Sequence, residues 1–266
     1  MRICVVAGKG DLPKEIIKKI LSEGFFCCII GVRGQHNLDP SQNPNFTELE
    51  LGKIGAAISF CKSHNITHIV FAGSIKRPSL GSIIPDSEGA KLLTKIISKK
   101  FLGDDSLLKT ILDFVEDRGF NILSPNEILN INSNSSGILT TTPISQKDLE
   151  NIEIGCKGLA IMSPLDIGQS LIVSGNRIIA VEGAEGTDEM IKRSKDYTNE
   201  DAILVKIPKT GQDQRVDMPT IGPKTIDIIK KSNIKGLAID KNVIILSQEE
   251  TIEKADKNNI FIYVIK

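Results

Sequence analysis

Four stretches of this chain carry residue types able to handle an anionic, phosphate-bearing ligand. The densest is VEGAEGTDE, where Glu182, Glu185, Thr187 and Asp188 crowd a glycine-rich passage between a predicted strand and a predicted helix. Carboxylates gathered this closely supply the hard oxygen donors that divalent Mg²⁺ takes. Solvated or helix-capping acids are the plainer alternative for each of them taken singly. The second stretch, KIPKTGQDQRVDMPTIGPKT, brings Lys206, Lys209 and Arg215 to offset phosphate charge, and an arginine can grip phosphate through two hydrogen bonds. It also sets Asp217 just before Pro219-Thr220-Ile221-Gly222, with Pro223 suited to the first position of the next helix. Such a helix start is an anion site beside a carboxylate; the plainer reading is a polar connector of alternating charge.

The third stretch is Gly103-Asp104-Asp105 at a helix start, suited either to an N-cap with a favourable dipole charge or to a cation. The fourth is Gly8-x-Gly10 after the first strand, a turn that can aim backbone N–H groups at a phosphate. The dinucleotide fingerprint wants a third glycine where this chain has Pro13, and an acid after the second strand where it has Arg33. Both departures argue against NAD. His36, His64 and His68 form no metal or triad pattern, and G-x-S-x-G, P-loop and H-E-x-x-H motifs are absent. Serine nucleophiles and zinc hydrolysis are therefore disfavoured. Hard-cation chemistry through carboxylates remains, and it suits a phosphoanhydride, because the cation neutralises phosphate oxygens and orients water.

The elements that position these stretches alternate. Residues 2–7 predict a buried parallel strand, followed by a Gly turn and an amphipathic helix over about Pro13–Glu23. FFCCIIG predicts a second strand, with Cys27 and Cys28 on opposite faces. A polar stretch, a helix near 53–64, the strand THIVFAGSI, two amphipathic helices and a short strand near Phe120 complete a parallel sheet with helices on both faces. INSNSSGILTTTPISQ, residues 131–146, has linker composition. Beyond it come a helix near 147–162 and a hairpin about Ser174-Gly175-Asn176. The helix TDEMIKRSKDY, the strand AILVKIP and the helix PKTIDIIKKSN follow, then GLAID and NVIIL read as a strand pair. A last helix, started by a Ser247–Glu250 capping box, precedes IFIYVI. The expectation is α/β throughout: a Rossmann-like parallel-sheet domain over 1–130, a linker over 131–146, and a mixed α/β domain over 147–266 holding the catalytic residues.

Composition bounds the partners. The chain has 266 residues, 40% hydrophobic and 4% aromatic without Trp, so its cores are built of Ile, Leu and Val. Lys+Arg and Asp+Glu each number 33, so no net field draws nucleic acid. Five cysteines without a C-x-x-C pair predict reduced, buried thiols and a cytoplasmic setting. The longest apolar run, Phe25 to Val32, is too short to cross a bilayer.

AGKGDLP, FAGSIKRP, GDDSLLKTILDFVEDRGF, AVEGAEGTDEMIKR and RVDMPTIG stand in the order in which similar blocks occur in the LpxI-type UDP-2,3-diacylglucosamine pyrophosphatases, and the chain resembles that family over nearly its whole length. The resemblance implies a cytoplasmic, Mg²⁺-dependent hydrolase of lipid A biosynthesis that releases UMP and 2,3-diacylglucosamine 1-phosphate, with substrate held between two domains. It makes Asp217 the residue needed for turnover, as a cation ligand or water-positioning group. Asp104, Asp105, Glu182, Glu185 and Asp188 become candidate ligands of Mg²⁺ or Mn²⁺. Gly8, Gly10, Thr187, Lys209, Gln212, Arg215, Thr220 and Gly222 are the candidate substrate contacts. Met218 stands where a Leu is common, an apolar exchange. The expected partner is the UDP-linked diacyl glycolipid; peripheral contact with the inner membrane surface and homodimer formation stay open. Two rival readings are a non-catalytic nucleotide or lipid carrier and a nucleotide-sugar transferase or reductase using the N-terminal Gly loop.

Overall fold

The computed structural model describes residues 1–76, 79–98, 104–129, 136–165, 167–198, 201–209, 213, 215–216 and 218–265. The chain divides into two compact units, one of Met1–Ile131 with Asp213–Asp217, the other of Asn132–Gln212 with Met218–Lys266. Among the described residues no helix is long and apolar enough to cross a membrane.

The first unit runs β1 (Arg2–Ala7), α1 (Leu12–Ser22), β2 (Phe26–Val32), β3 (Phe46–Leu49), α2 (Ile54–Ser63), β4 (His68–Ala72), α3 (Ser87–Ser98), α4 (Asp104–Glu116), β5 (Asn121–Leu123) and α5 (Pro125–Leu129). Its strands lie in the order β3-β2-β1-β4-β5, with every pairing parallel. This is the Rossmann-like sheet that the alternating pattern predicts. Side chains of successive strand residues leave opposite faces, and two cores result. Ile3, Val5, Ala7 and Cys27 pack with Ile16 and Ile20 of α1 and Ile128 of α5. Cys4, Cys28 and Ile30 pack with Cys61 of α2. Cys27 and Cys28 thus face opposite cores as expected, and burial pushes the Cys27 thiol up to about 12.

The second unit runs β6 (Gly137–Ile138), α6 (Gln146–Met162), β7 (Ser170–Ser174), β8 (Arg177–Val181), α7 (Thr187–Ser194), β9 (Ala202–Lys206), β10 (Thr220–Ile221), α8 (Pro223–Lys231), β11 (Ile234–Ile239), β12 (Ile244–Ile245), α9 (Gln248–Lys257) and β13 (Phe261–Val264). Its main sheet has the order β6-β13-β11-β9-β7-β8, mixing parallel and antiparallel pairs. One face carries α6, through Ile152 and Leu159 against Leu171, Ile203 and Phe261. The other packs α7, α8 and α9, through Met190, Ile229 and Ala255 against Ile172, Leu204 and Leu237. The predicted hairpin is β7–β8, and Gly175 and Asn176 both take the positive φ that its two-residue turn demands.

Several expectations need correction. β3, α5 and β10 are too short for their periodicity to register in the sequence; β3 is a half-exposed edge strand behind a polar loop. GLAID and NVIIL do not pair. β11 lies between β9 and β13, so both its hydrogen-bonding edges are occupied, and β12 joins β10 in a separate two-stranded sheet. The last helix does start at Gln248, yet Ser247 makes no side-chain cap and takes a left-handed backbone (φ 43). The Ser/Thr-rich stretch read as linker supplies β6, paired antiparallel with β13. Its Thr141 donates to Asp256 through N and Oγ1 at 2.7 and 2.9 Å, and the Thr140 hydroxyl accepts from Ile262 N at 3.0 Å. The hydroxyls of Thr140 and Thr141 thus tie these residues to β13 and α9.

Candidate functional site

At the end of β1, Gly8 N donates to Ala72 O (2.8 Å), Lys9 N to Ser74 O (2.9 Å) and Ser74 N to Lys9 O (2.9 Å). Gly10 N donates to Asn37 Oδ1 at 3.1 Å. The glycines serve this close approach: a Cβ on Gly8 would stand 2.5 Å from Ser74 O, and Gly10 takes φ 114. The strand order reverses between β1 and β4, the place where open α/β sheets bind ligands. Here the turns after those strands are laced to each other, and each N–H from Gly8 to Gly10 has a protein acceptor.

Arg215 belongs to the first unit. Its fork donates to Asp213 from Nε (2.9 Å) and Nη2 (2.7 Å), while Nη1 reaches Glu116 Oε1 of α4 at 2.8 Å. The guanidinium holds the Asp213 carboxyl below the usual carboxylate range, and Asp213 in turn pushes the Arg215 pKa up. Arg215, read from sequence as a phosphate partner, thus spends its donors on two carboxylates and pins its own segment to α4.

The second unit concentrates charge at one end of its main sheet. There the ends of β8 and β9 meet the start of β7, because β7 runs antiparallel to both. Glu182, just beyond β8, accepts from Ser170 Oγ at 2.6 Å, Gln169 N at 3.1 Å and Thr187 Oγ1 at 3.0 Å. Lys206 closes β9 and donates from Nζ to Thr187 Oγ1 at 2.9 Å. Ser170 is fully buried and Lys206 is 8% exposed. A buried ammonium is tolerated only where hydrogen bonds and opposite charge meet it, and this network provides both within two bonds. Ser170 was missed in the sequence, since a serine opening an apolar strand carries no signal of its own. Lys206 was noticed for its charge alone.

The other acids of the loop are held separately. Glu185 accepts from Arg193 Nε and Nη2 at 2.9 and 2.7 Å; backbone N–H groups and then Arg193 hold its carboxyl below the usual range. Asp188, in the first turn of α7, pairs with Lys224 Nζ at 2.9 Å. Gly222 caps α8 at its N-terminus, Pro223 starts that helix as expected, and Thr220 opens β10. Lys209 is half-buried beyond β9. Among the described residues, no three His, Cys, Asp or Glu side chains converge as a metal cluster. Asp217 and Gln212 lie outside the described residues, as do the side chains of Asp104 and Asp105, whose backbones open α4.

Comparison with known proteins gives two contiguous matches. Residues 2–131 match the LpxI N-terminal domain and residues 135–263 the LpxI C-terminal domain. The chain is also 27% identical over 270 residues to a protein of Caulobacter vibrioides named UDP-2,3-diacylglucosamine pyrophosphatase LpxI, covering 98% of this chain and 96% of that one.

Proposed function

The chain belongs to the LpxI family, and from that premise we propose that it hydrolyses the pyrophosphate of UDP-2,3-diacylglucosamine in lipid A biosynthesis. The observation that carries this reading is the match of both family domains, in order, together with a relative aligned over nearly its full length. Water adds across the P–O–P bridge: its oxygen bonds one phosphorus, the bridging P–O bond breaks, and the displaced oxygen leaves on the other phosphate. The products are UMP and 2,3-diacylglucosamine 1-phosphate. The physical demand is to stabilise charge that builds on the phosphate oxygens, and preorganised cations and donors meet it best where water is excluded.

The residues are assigned on that basis. Asp217 holds the cation or aims the water. Lys206 and Lys209 stand at or beyond the end of β9, where they compensate phosphate charge, and Thr187 at the start of α7, Thr220 in β10 and Gly222 at the cap of α8 are the further substrate contacts. A divalent Mg²⁺ or Mn²⁺ is part of the proposal. The donor chemistry of the Glu182–Asp188 loop fits a hard cation, being all oxygen with no clustered His or Cys. Carboxylates of that loop, Glu182 and Asp188, would hold it, and when bound it would supply Lewis-acid neutralisation of the phosphate oxygens. Arg193 and Lys224 pair with Glu185 and Asp188 and orient these carboxylates. A lipid substrate also implies peripheral contact with a membrane surface from the cytoplasmic side.

Release of UMP from UDP-2,3-diacylglucosamine by the purified chain tests the reading. The expected result is release that EDTA abolishes and added Mg²⁺ or Mn²⁺ restores. Absence of UMP under every condition defeats the hydrolase; full activity in excess EDTA defeats the cation alone.

A further inference from the structure

β7 has a buried serine at each end. All five of its residues are buried, and Ser170 and Ser174 bring side-chain polar atoms into an otherwise apolar strand. A buried hydroxyl is tolerated where hydrogen bonds meet it, and each serine donates to a carboxylate with a lysine beyond it. Ser174 donates to Asp201, which pairs with the exposed Lys147 at 2.9 Å. Ser170 donates to Glu182 at 2.6 Å, and the lysine beyond that carboxylate is the buried Lys206. Each hydroxyl proton around Ser170 has one destination, since a hydroxyl carries a single hydrogen. That of Ser170 goes to Glu182 Oε2 and that of Thr187 to Glu182 Oε1 at 3.0 Å, so the Thr187 oxygen accepts from Lys206 Nζ at 2.9 Å. Gln169 N adds a third donor to the carboxylate at 3.1 Å. Gly168 seats the stem of the same glutamate: a Cβ there would stand 2.6 Å from Glu182 Cβ. The path thus runs one way, from Lys206 through Thr187 to Glu182, and Ser170 and Gln169 fix its end.

We propose that Ser170 is a positioning residue for hydrolysis: by fixing Glu182 it holds Lys206, through Thr187, at the end of β9. The inference rests on the hydrolase reading above, in which Lys206 compensates phosphate charge. The proton of the Thr187 hydroxyl is committed to Glu182, so phosphate charge is met here by the ammonium rather than by the hydroxyl. A lysine head sits on a flexible four-carbon stem and goes where its hydrogen bonds hold it. A cation stabilises developing charge best when it is already in place and need not reorganise. The two ends of β7 differ in this respect. Lys147 is exposed, whereas Lys206 is fixed in the interior beside the loop that carries the candidate site acids.

Double-mutant kinetics test this, with kcat/KM for UDP-2,3-diacylglucosamine as the readout. Ser170→Ala should lower it about tenfold, the effect of one lost hydrogen bond to a charged group, and Lys206→Met on the order of 10²-fold. Because Ser170 acts through Lys206, the double variant should stay within about twofold of Lys206→Met alone, whereas independent sites would multiply their losses. Thr187→Val breaks the same path and gives a second cycle with Ser170→Ala if Lys206→Met does not fold. Ser174→Ala removes the equivalent bond at the other end of β7. It should lower the melting temperature as Ser170→Ala does, yet leave kcat/KM within about twofold of the parent. Multiplied losses in a folded double variant, a folded Ser170→Ala with parental kcat/KM, or an equal fall in Ser174→Ala overturns the proposal and leaves Ser170 a structural residue. A parent that releases no UMP overturns the hydrolase reading instead. The same cycle is then read in the affinity for inorganic pyrophosphate, where coupling keeps Ser170 as the residue that fixes Lys206 for an anion, and additivity or no binding removes it.

Discussion

The two units handle the ends of their sheets in opposite ways. In the first, the turns beyond β1 and β4 satisfy each other through backbone hydrogen bonds, and the space left under α2–α4 is lined by carbon. In the second, the helices close over both faces of the sheet, and the end of β9 carries a buried ammonium in a net of Thr187, Glu182 and Ser170. A void costs dispersion contacts, and a buried charge costs desolvation. The cavity brings the first cost to the first unit, and Lys206 brings the second cost to the second unit. The difference teaches that one layered α/β plan tolerates either cost, because an apolar void is borne by the strength of the surrounding packing and a buried ammonium by hydrogen bonds that meet it.

The largest expected effect separates charge from packing. Asp217→Ala should lower kcat on the order of 10²-fold or more, yet melt close to the parent and bind UDP-2,3-diacylglucosamine equally well. Steady-state kinetics beside a binding titration read both. Near-parental turnover in a folded protein would move the chemistry to Asp188 or Glu185, and weakened substrate binding with unchanged kcat would make Asp217 a substrate-positioning residue instead. Glu182→Ala acts on the second unit. It leaves Ser170 and Thr187 without their carboxylate acceptor beside a buried lysine, and denaturant titration should show a loss of about 2–3 kcal/mol. A loss below about 0.5 kcal/mol would mean the network is wetter than its burial implies. In the first unit, Gly8→Ala forces a methyl against Ser74 O and should cost about 1–3 kcal/mol, read as a fall in melting temperature. An unchanged melt would mean the laced turns part freely.

The smallest expected effect is acidic. Asp213 has its carboxyl held down by Arg215, so the folded pKa lies below the unfolded value of about 3.9. The ion pair therefore contributes fully above that unfolded value, and the contribution disappears as pH falls through the depressed one. Asp213→Asn should cost about 1 kcal/mol at neutral pH, a figure discounted for the partial exposure of the pair. The variant and the parent should converge in stability once the pH has fallen below the depressed pKa of Asp213. Stability curves that stay parallel down to that pH would show that charge is not what Asp213 provides.

Much of the architecture follows from local pattern. The runs at β1, β2 and β4 are apolar on both sides, as buried parallel strands must be. Adjacent Cys27 and Cys28 part to opposite cores because the strand period is two. Gly175-Asn176 accepts positive φ, and Pro223 lacks the N–H that a first helical turn leaves unused. The acidic and basic motifs were equally visible, as residue types. Their partners were not. Arg215 meets Glu116 across 99 positions, Lys206 meets Thr187 across 19, and β12 finds β10 rather than the neighbouring β11. Periodicity reports which face of an element is apolar, because that is settled within a few residues of chain. Which charge a guanidinium meets, and whether an apolar face is filled or left hollow, depends on elements far apart in sequence competing for the same space, and only the tertiary structure decides that.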